Sequence, residues 1–465
     1  MIYIIAFASL AVQVRGLIGH AGIAPLGDYL AAARRGWGAA AFWRMPTVFW
    51  LASGDAALLA AAIIGALLGL LVTCNIAQRA ALVGAFALYL SLVYAGQDFM
   101  AYQWDLLLLE AGFLAIFLTA GSRIIVWLYR FLIFRFLFLA GAMKLASGDR
   151  TWRSLSALDY HFWTQPLPTP LAWYAAQLPH RLLAAATAAV LVIELGLVFL
   201  IWLPRRPRAV AASAILVFQL LIMLTGNYNF FNLLTMLLCL FLFDDAALRR
   251  IVPAFIERRA RQGAPQTGRP ATICAAAVAL LTLPAAIDRL WQPLMGGDLP
   301  VAGAWSNAIS PLLIVNSYGL FASMTTSRPT IVLEGSDDGA TWRRYEFRDL
   351  PGPAAQPLRW CIPYQPRLDW QIWVAGYGTP AESPWFAGLV HALLRGSPAV
   401  LDLLAVNPFP GRPAKYLRAA LYDERFADRE THARTGQWWS GRLEGLYYPA
   451  VSLADFARSP QGRGE

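Results

Sequence analysis

The feature that most constrains this chain is a series of nine apolar runs within its first 290 residues. A helix needs about 20 apolar residues to cross a hydrocarbon core of roughly 30 Å. The runs cover residues 1–14, 56–73, 80–96, 106–120, 124–142, 182–203, 209–225, 229–243 and 271–287. Because several runs are short, the sequence predicts a polytopic α-helical membrane bundle of eight or nine spans. The first run lacks a cationic start and a small-residue cleavage site, so we expect an uncleaved span.

The distribution of arginine predicts the side of the membrane on which each loop lies. The densest sets, at 205–208 and 249–269, are separated by two predicted spans, so both fit the cytoplasmic side, where cations concentrate. Arg34, Arg35 and Arg44 in the first outer loop run against this rule. The predicted outer-face segments are the loops 15–55, 97–105, 144–181 and 226–228 and everything after about residue 288.

The pattern from about Trp305 onward is typical of a β-rich, sandwich-like domain. Residues 330–347 predict two strands around an Asp338-Gly339 turn. Further strands are predicted at 368–374, 414–422 and 443–448, with a helix at 385–404. We therefore predict a transmembrane domain over 1–290 and an extracytoplasmic β-rich domain over 291–465.

Composition and motifs narrow the function classes. Four scattered cysteines and five dispersed histidines show no metal-ligand spacing, so neither a metal nor a cofactor is predicted. The chain has no GxSxG, HExxH, GxxxxGK[ST] or GxGxxG signature. The net charge of +10 comes from clusters beside apolar runs. The lipid bilayer is therefore an expected partner, and nucleic acid is not.

Charged residues inside predicted spans are expected to pair, because an isolated charge there costs about 2.5–3.5 kcal/mol or more. Arg135 and Glu194 lie at similar depth by residue count, which predicts a pair that acts as a structural staple. Glu110 lies about one and a half turns below the outer surface, close to the level of Lys144, which predicts a second pair. Structural charge neutralisation is the favoured interpretation of both pairs, ahead of catalysis.

The segment that follows Lys144 is crowded with indoles, an imidazole, a carboxylate and guanidinium groups, so we expect it to fold against another part of the protein. Only Lys144 and Lys415 are lysines among 38 basic residues. Lysine can lose its proton when it is desolvated, and arginine cannot. The predicted client-binding or functional loop residues are Asp98, Trp104, Asp105, Lys144, Asp149, Arg150, Trp152, His161, Gln165 and Asn227.

Short stretches in both parts of the chain carry a family resemblance. They include Gln97-Asp-Phe-Met100, Gln103-Trp-Asp-Leu-Leu-Leu-Leu-Glu110, Gly148-Asp-Arg-Thr-Trp152, Phe231-Asn-Leu-Leu-Thr235, Val315-Asn-Ser-Tyr-Gly-Leu-Phe321, Pro366-Arg-Leu-Asp-Trp370 and Asn407-Pro-Phe-Pro410. Together they resemble the lipase maturation factor family over nearly the whole chain. The resemblance implies a chaperone-like membrane protein, of the endoplasmic reticulum in animals, that helps secreted dimeric lipases reach an active fold. The implied partner is a secreted client protein, with a lipase as the family's example.

The choice of basic residues predicts a different compartment for this chain. Arginine and alanine dominate, lysine is nearly absent, and no N-x-[ST] acceptor for glycosylation occurs. This pattern is typical of a GC-rich bacterial genome. We therefore predict a bacterial inner-membrane protein with its C-terminal domain in the periplasm.

One helix end supports an alternative function. The run from Phe138 through Lys144 also resembles the corresponding segment of vitamin K-dependent γ-carboxylases, where a lysine at this point is the catalytic base. That resemblance implies a membrane enzyme acting on a lipid or quinone-associated substrate, with Lys144 as base and Glu110, Asp149 and His161 as its neighbours. Such an enzyme needs an enclosed cavity at Lys144, whereas a chaperone needs an exposed aromatic surface.

Overall fold

The computed structural model describes residues 1–119, 121–250, 252–253, 258 and 268–458. Six helices among these residues are long and apolar enough to cross a membrane: Asp55–Thr73, Gln78–Ala95, Arg123–Ala146, His180–Trp202, Arg205–Thr225 and Arg269–Met295. They correspond to six of the nine predicted spans and confirm the polytopic helical bundle.

The helices are labelled in chain order. They are α1 Ile2–Ala11, α2 Val14–Ile18, α3 Leu26–Trp37, α4 Ala41–Arg44, α5 Asp55–Thr73, α6 Gln78–Ala95, α7 Gln103–Ile116, α8 Arg123–Ala146, α9 Arg150–Arg153, α10 Ala157–Thr164, α11 Pro170–Ala176, α12 His180–Leu195, α13 Arg205–Thr225, α14 Phe231–Cys239, α15 Asp245–Leu248, α16 Arg269–Met295, α17 Pro300–Ile309, α18 Arg367–Gly376, α19 Trp385–Leu394, α20 Pro398–Leu401, α21 Arg429–Thr435 and α22 Leu453–Arg458. A 3₁₀ stretch, Leu197–Trp202, continues α12 beyond Gly196.

Three predicted spans fold as shorter apolar helices. They are α1, α7 and α14, of 10, 14 and 9 residues. At 1.5 Å per residue, helices of this size cover about 14–21 Å, which is less than the roughly 30 Å of a hydrocarbon core. They pack against the longer helices of the bundle. The Phe7 ring of α1 lies against Gly65 of α5, where an added Cβ would come within 2.2 Å of the ring. The Gly65–Gly69 spacing of α5 therefore serves the close packing of α1 on α5.

The chain returns after α13 to the end at which α13 began. Arg205 forms an ion pair with Asp244, and Arg208 Nε donates to the Leu242 carbonyl at 2.7 Å. The arginines at 205–208 and at 249–250 therefore lie at the same end of the bundle. Two arginines of the second set, Arg259 and Arg261, fall outside the described residues.

The C-terminal part contains two antiparallel sheets. The strands are β1 Pro329–Ser336, β2 Arg343–Arg344, β3 Glu346–Phe347, β4 Leu404–Val406, β5 Tyr416–Phe426 and β6 Trp439–Val451. One sheet has the order β2-β1-β5-β6, and β3 pairs with β4. The Asp338 carboxylate accepts from the backbone N–H groups of Ala340 and Thr341, at 2.9 and 2.8 Å, and so fixes the predicted turn between β1 and β2. The predicted strands at 414–422 and 443–448 are confirmed as β5 and β6.

The strand predicted at 368–374 is wrong, because these residues form α18. Leu368, Trp370 and Ile372 alternate with polar residues as in a half-buried strand. In the structure the intervening polar residues Asp369 and Gln371 are buried as well, so the alternation does not separate an inner from an outer face. The predicted helix 385–404 ends at Leu394, and the chain then continues through α20 into β4.

All four loops predicted to lie on one side of the membrane contact the chain after residue 291. The contacts are Ser397 Oγ to Ala21 O at 2.7 Å, Arg367 Nη1 to Phe99 O at 2.7 Å, Trp152 Nε1 to Phe321 O at 2.9 Å and Asn227 Nδ2 to Arg359 O at 2.9 Å. The four loops and the C-terminal part therefore form one continuous end of the molecule. The boundary at 290/291 and the side of the membrane that this end faces stay predictions.

Candidate functional site

Lys144 and Glu194 form a buried ion pair between α8 and α12. Lys144 Nζ lies 2.9 Å from Oε2 and 3.1 Å from Oε1 of Glu194. The ammonium also donates to Leu320 O at 3.0 Å and to Ala140 O at 3.2 Å. It lies 5.1 Å from the centre of the Trp152 ring. An ammonium has three N–H donors, and its three acceptors here use all of them.

Arg135 pairs with Glu110 rather than with Glu194. The Arg135 guanidinium donates to Glu110 Oε1 and to Asn316 O at 2.8 Å. The other oxygen of Glu110 accepts from Asn316 N at 3.0 Å and from the Tyr318 hydroxyl at 2.8 Å. The predicted pairs Arg135–Glu194 and Lys144–Glu110 are therefore wrong. All four charges are nevertheless buried and paired, as expected for charges in a membrane bundle.

Gly141 explains why Glu194 pairs with Lys144 rather than with Arg135. An added Cβ at Gly141 would lie 2.7 Å from the Glu194 Cβ, so α12 passes α8 at this glycine. Lys144 is three residues farther along the same helix face, whereas Arg135 is six residues earlier, about 9 Å along the axis.

The segment 315–321 contributes to both ion pairs. Asn316 and Tyr318 bind Glu110, and the Leu320 carbonyl accepts from Lys144. The next carbonyl, of Phe321, accepts from Trp152 Nε1 at 2.9 Å. The sequence identified this segment only through the family resemblance and missed its role. The available signal was an asparagine and a tyrosine in an otherwise apolar stretch.

A third buried ion pair joins the membrane bundle to the C-terminal part. Arg367 donates to the two carboxylate oxygens of Asp105 at 2.9 and 3.0 Å, and the Tyr89 hydroxyl donates to the same carboxylate. Arg367 Nη1 also donates to Phe99 O at 2.7 Å. Asp105 was predicted as a functional loop residue, and the role of Arg367 was missed. A bidentate arginine–carboxylate pair fixes distance and orientation, so it positions α18 on α7.

Several predicted loop residues bind backbone groups of the protein itself. Asp149 accepts from Thr151 N at 2.7 Å, as the N-cap of α9, and its other oxygen accepts from Met324 N. Asn227 Oδ1 accepts from Cys361 N at 2.9 Å. These side chains hold the C-terminal part in place rather than facing an open site.

The remaining predicted residues fall into two groups. Gln165 and Trp104 are buried: Gln165 accepts from the Tyr228 hydroxyl at 2.9 Å, and the Trp104 ring lies 4.8 Å from the Trp370 ring. Asp98 and Arg150 are exposed. The structure therefore does not bring Asp98 or Arg150 into the cluster around Lys144.

His161 lies next to the ion pair with an unused imidazole. Its ring stands edge-on to Phe321, with 4.9 Å between centres. No side chain or backbone group in the described ranges makes a hydrogen bond to either ring nitrogen. Burial, together with a smaller effect of the positive charge of Lys144, lowers the pKa of His161 to about 4. The imidazole is therefore neutral at pH 7, with one donor and one acceptor nitrogen.

A cavity of 1130 Å³ lies beside these residues. This volume exceeds the range of about 300–1,000 Å³ that is typical of small-molecule sites. Lys144, Glu194 and His161 line it, together with apolar residues of α12 and α13. Within the described residues, no group of three or more His, Cys, Asp or Glu side chains is arranged to hold a metal ion.

An exposed aromatic surface lies in the predicted outer loop 15–55. We use this name for Trp37, Phe42 and Trp43, whose exposed fractions are 43, 48 and 55%. The Arg44 guanidinium lies 5.3 Å from the Trp37 ring centre. The structure thus contains both a cavity at Lys144 and an exposed aromatic surface.

Comparisons with known proteins agree with this architecture. Residues 1–250 match the sequence model of the lipase maturation factor transmembrane domain, and residues 314–449 match that of the lipase maturation factor C-terminal domain. Lipase maturation factor 1 of Mus musculus is 34% identical over 98% of this chain and 86% of its own length. Lipase maturation factor 2 of Xenopus laevis is 31% identical over 98% of this chain and 81% of its own length. No solved structure matches the chain significantly.

Proposed function

This chain belongs to the lipase maturation factor family, and we propose that it is a membrane-embedded factor for the folding and assembly of a secreted client protein. The relatives are named for the maturation of lipases, so we propose a lipase as the client. We further propose a bacterial inner membrane as its location, with the C-terminal part in the periplasm. The shared end of the arginines at 205–208 and 249–250 supports that orientation.

The observation that carries the proposal is the use of polar loop groups for internal contacts. Lys144, Asp149 and Asn227 are held by partners within the chain. A catalytic loop would leave such groups free to reach a substrate. What remains exposed at this end of the molecule includes the aromatic surface, and exposed apolar patches typically mark protein or membrane contacts.

A folding factor needs a surface that holds apolar segments of an incompletely folded client. The aromatic surface fits this need because its indole and phenyl rings offer a large apolar area with few rotatable bonds. The buried pair Arg367–Asp105 and the ion pair of Lys144 fix the loops around it to a rigid bundle. We therefore propose that the aromatic surface binds the client while the rest of the loops provide the platform.

Site-directed photo-crosslinking in the living host tests this proposal. A photoreactive amino acid at Trp43 is expected to capture a secreted protein, and deletion of the chain is expected to lower the active yield of that same protein. The matched control is Leu67 on α5, which is also exposed but lies within a membrane span. It should capture lipid only. Capture of lipid alone at both positions would contradict the assignment of the aromatic surface to a client.

A second candidate function is a membrane enzyme, and the cavity at Lys144 is the observation that favours it. A base would have to be a neutral amine, which has only two N–H groups. Lys144 donates to three acceptors, one of them the Glu194 carboxylate, which together fit an ammonium. We therefore rank the enzyme second. The Lys144→Arg variant described in the Discussion separates the two candidates.

A further inference from the structure

The cavity beside Lys144 opens toward the membrane between α12 and α13. Its exposed lining residues include Ala189 and Val192 on α12, and Val217 and Leu221 on α13. Both helices belong to segments that are long and apolar enough to cross a membrane. The mouth of the cavity therefore meets hydrocarbon rather than water, and a lipid reaches it by lateral diffusion.

The charge in the cavity favours an uncharged ligand. Among the described residues that line it, Lys144 and Glu194 are the ones that carry a formal charge at pH 7, and they neutralise each other. The donors of Lys144 are already used by Glu194, Leu320 and Ala140. A phosphate or carboxylate head would therefore lie beside Glu194 without a free cation, which is costly in an apolar site.

Unused polar groups in the lining favour a head that contains oxygen. The neutral His161 ring has a donor and an acceptor without a partner in the described chain. Three further lining residues carry a buried indole or amide atom without a hydrogen-bond partner among the described residues, namely Trp104 Nε1, Trp370 Nε1 and Asn232 Oδ1. Trp104 and Asn232 are 3 and 1% exposed. A hydroxyl group both donates and accepts, so it can satisfy groups of both kinds.

We propose that the cavity binds one neutral lipid, with its hydrocarbon chains between α12 and α13 and an uncharged head with hydroxyl or carbonyl oxygens at His161. The 1130 Å³ volume exceeds that of sites for drug-sized molecules and leaves room for extended chains. This site is distinct from the aromatic surface assigned to the client, so the two proposals can fail separately.

Photolabelling of the purified full chain in lipid nanodiscs tests the proposal. The probes are a photoreactive diacylglycerol and a photoreactive phosphatidic acid with the same chains, so they differ only in the charge of the head. Diacylglycerol is expected to label peptides of α12 and α13 at least about tenfold more than phosphatidic acid, a difference that corresponds to about 1.4 kcal/mol. Equal labelling by the two probes would overturn the proposal.

Two tryptophan variants test whether the label occupies the cavity. Ala189→Trp fills an exposed position in the lining of the cavity. Ala60→Trp adds the same side chain at an exposed position of α5 outside the cavity. Diacylglycerol labelling is expected to fall at least about fivefold in Ala189→Trp and to stay unchanged in Ala60→Trp. If Ala189→Trp is not recovered folded, Val192→Trp replaces it. Equal labelling of the filled and control variants would refute occupancy of the cavity.

A third variant tests the position of the head. His161→Phe keeps an aromatic ring against Phe321 and removes both ring nitrogens. It is expected to lower diacylglycerol labelling and to leave labelling by a photoreactive alkane without a polar head unchanged. Parallel loss of both labels would show that the ring acts only as apolar lining, and unchanged labelling by both would place the head elsewhere. Either outcome overturns the assignment of His161.

Discussion

Double-mutant cycles on the buried charges give the sharpest test of the observed pairing. Arg135→Met removes the guanidinium and leaves the Glu110 carboxylate buried with only Asn316 N and the Tyr318 hydroxyl as donors. Removing one partner of a buried ion pair lowers the free energy of unfolding by about 3–5 kcal/mol, because the remaining charge is uncompensated. We expect Arg135→Met to lower the free energy of unfolding by an amount in this range.

The second mutation of the cycle identifies the partner. Glu110→Gln removes the stranded charge but keeps an amide that can accept from Tyr318. The double variant Arg135→Met, Glu110→Gln is therefore expected to lose less stability than the sum of the single losses, with a coupling energy of about 0.5–3 kcal/mol. The same reasoning predicts coupling between Lys144→Met and Glu194→Gln.

The matched control is the pair that residue counting alone predicts. Arg135→Met and Glu194→Gln are expected to add within about 0.5 kcal/mol, because the two side chains belong to different ion pairs. All variants are compared by denaturant unfolding of the purified protein in one mixed-micelle system. Coupling between Arg135 and Glu194, or additivity between Arg135 and Glu110, would refute the assignment.

Three further predictions concern function, pH and topology. Lys144→Arg keeps the positive charge beside Glu194, so we expect the variant to retain part of its maturation activity. The measurement is the amount of active client that is secreted when the variant is present in the membrane at the wild-type level. Complete loss of activity in a folded variant would instead favour the enzyme. The pKa of His161 lies near 4 in the folded protein, whereas its ordinary value is 6.5. Between pH 6.5 and pH 4 the unfolded chain therefore binds more protons than the folded chain does, so the free energy of unfolding decreases as the pH falls. From pH 7 to pH 5 we expect a loss of about 2 kcal/mol that is absent in His161→Phe, and equal pH profiles for the two proteins would contradict it. A reporter active only in the cytoplasm and fused after Tyr448 should stay silent, whereas a strong signal would reverse the proposed orientation.

The sequence predicted the fold wherever a single periodic signal dominated. The six long spans and the strands β1, β5 and β6 each carry an apolar run or an alternation that local pattern alone can identify. The prediction failed for α18 because burial on nearly all sides removes the difference between its faces. For α1, α7 and α14 the apolar runs did not give the bounds of the helices, because apolar residues continue beyond the helix ends.

The candidate site was predicted in its residue types but not in its contacts. Lys144, Glu194, Arg135 and Glu110 were identified because charges in apolar runs are rare. Which of these residues pair depends on where α12 crosses α8, and Gly141 sets that crossing point. The depth of a residue, counted from the end of its span, does not indicate where two helices cross. The role of Arg367 was missed because its partner, Asp105, lies 262 positions away in the sequence, and local sequence patterns give no signal for such a distant contact.

The segment 315–321, which contacts two of the buried ion pairs, is synthesised after the membrane helices that carry those charges. The spans α5 to α13 leave the ribosome before this segment exists, so at that stage Glu110 lacks the Asn316 and Tyr318 donors and Lys144 lacks the Leu320 carbonyl. The bundle therefore reaches its final hydrogen bonding only after translation has passed residue 320. Quality control in the membrane can then distinguish a finished chain from a truncated one by the exposure of those charges.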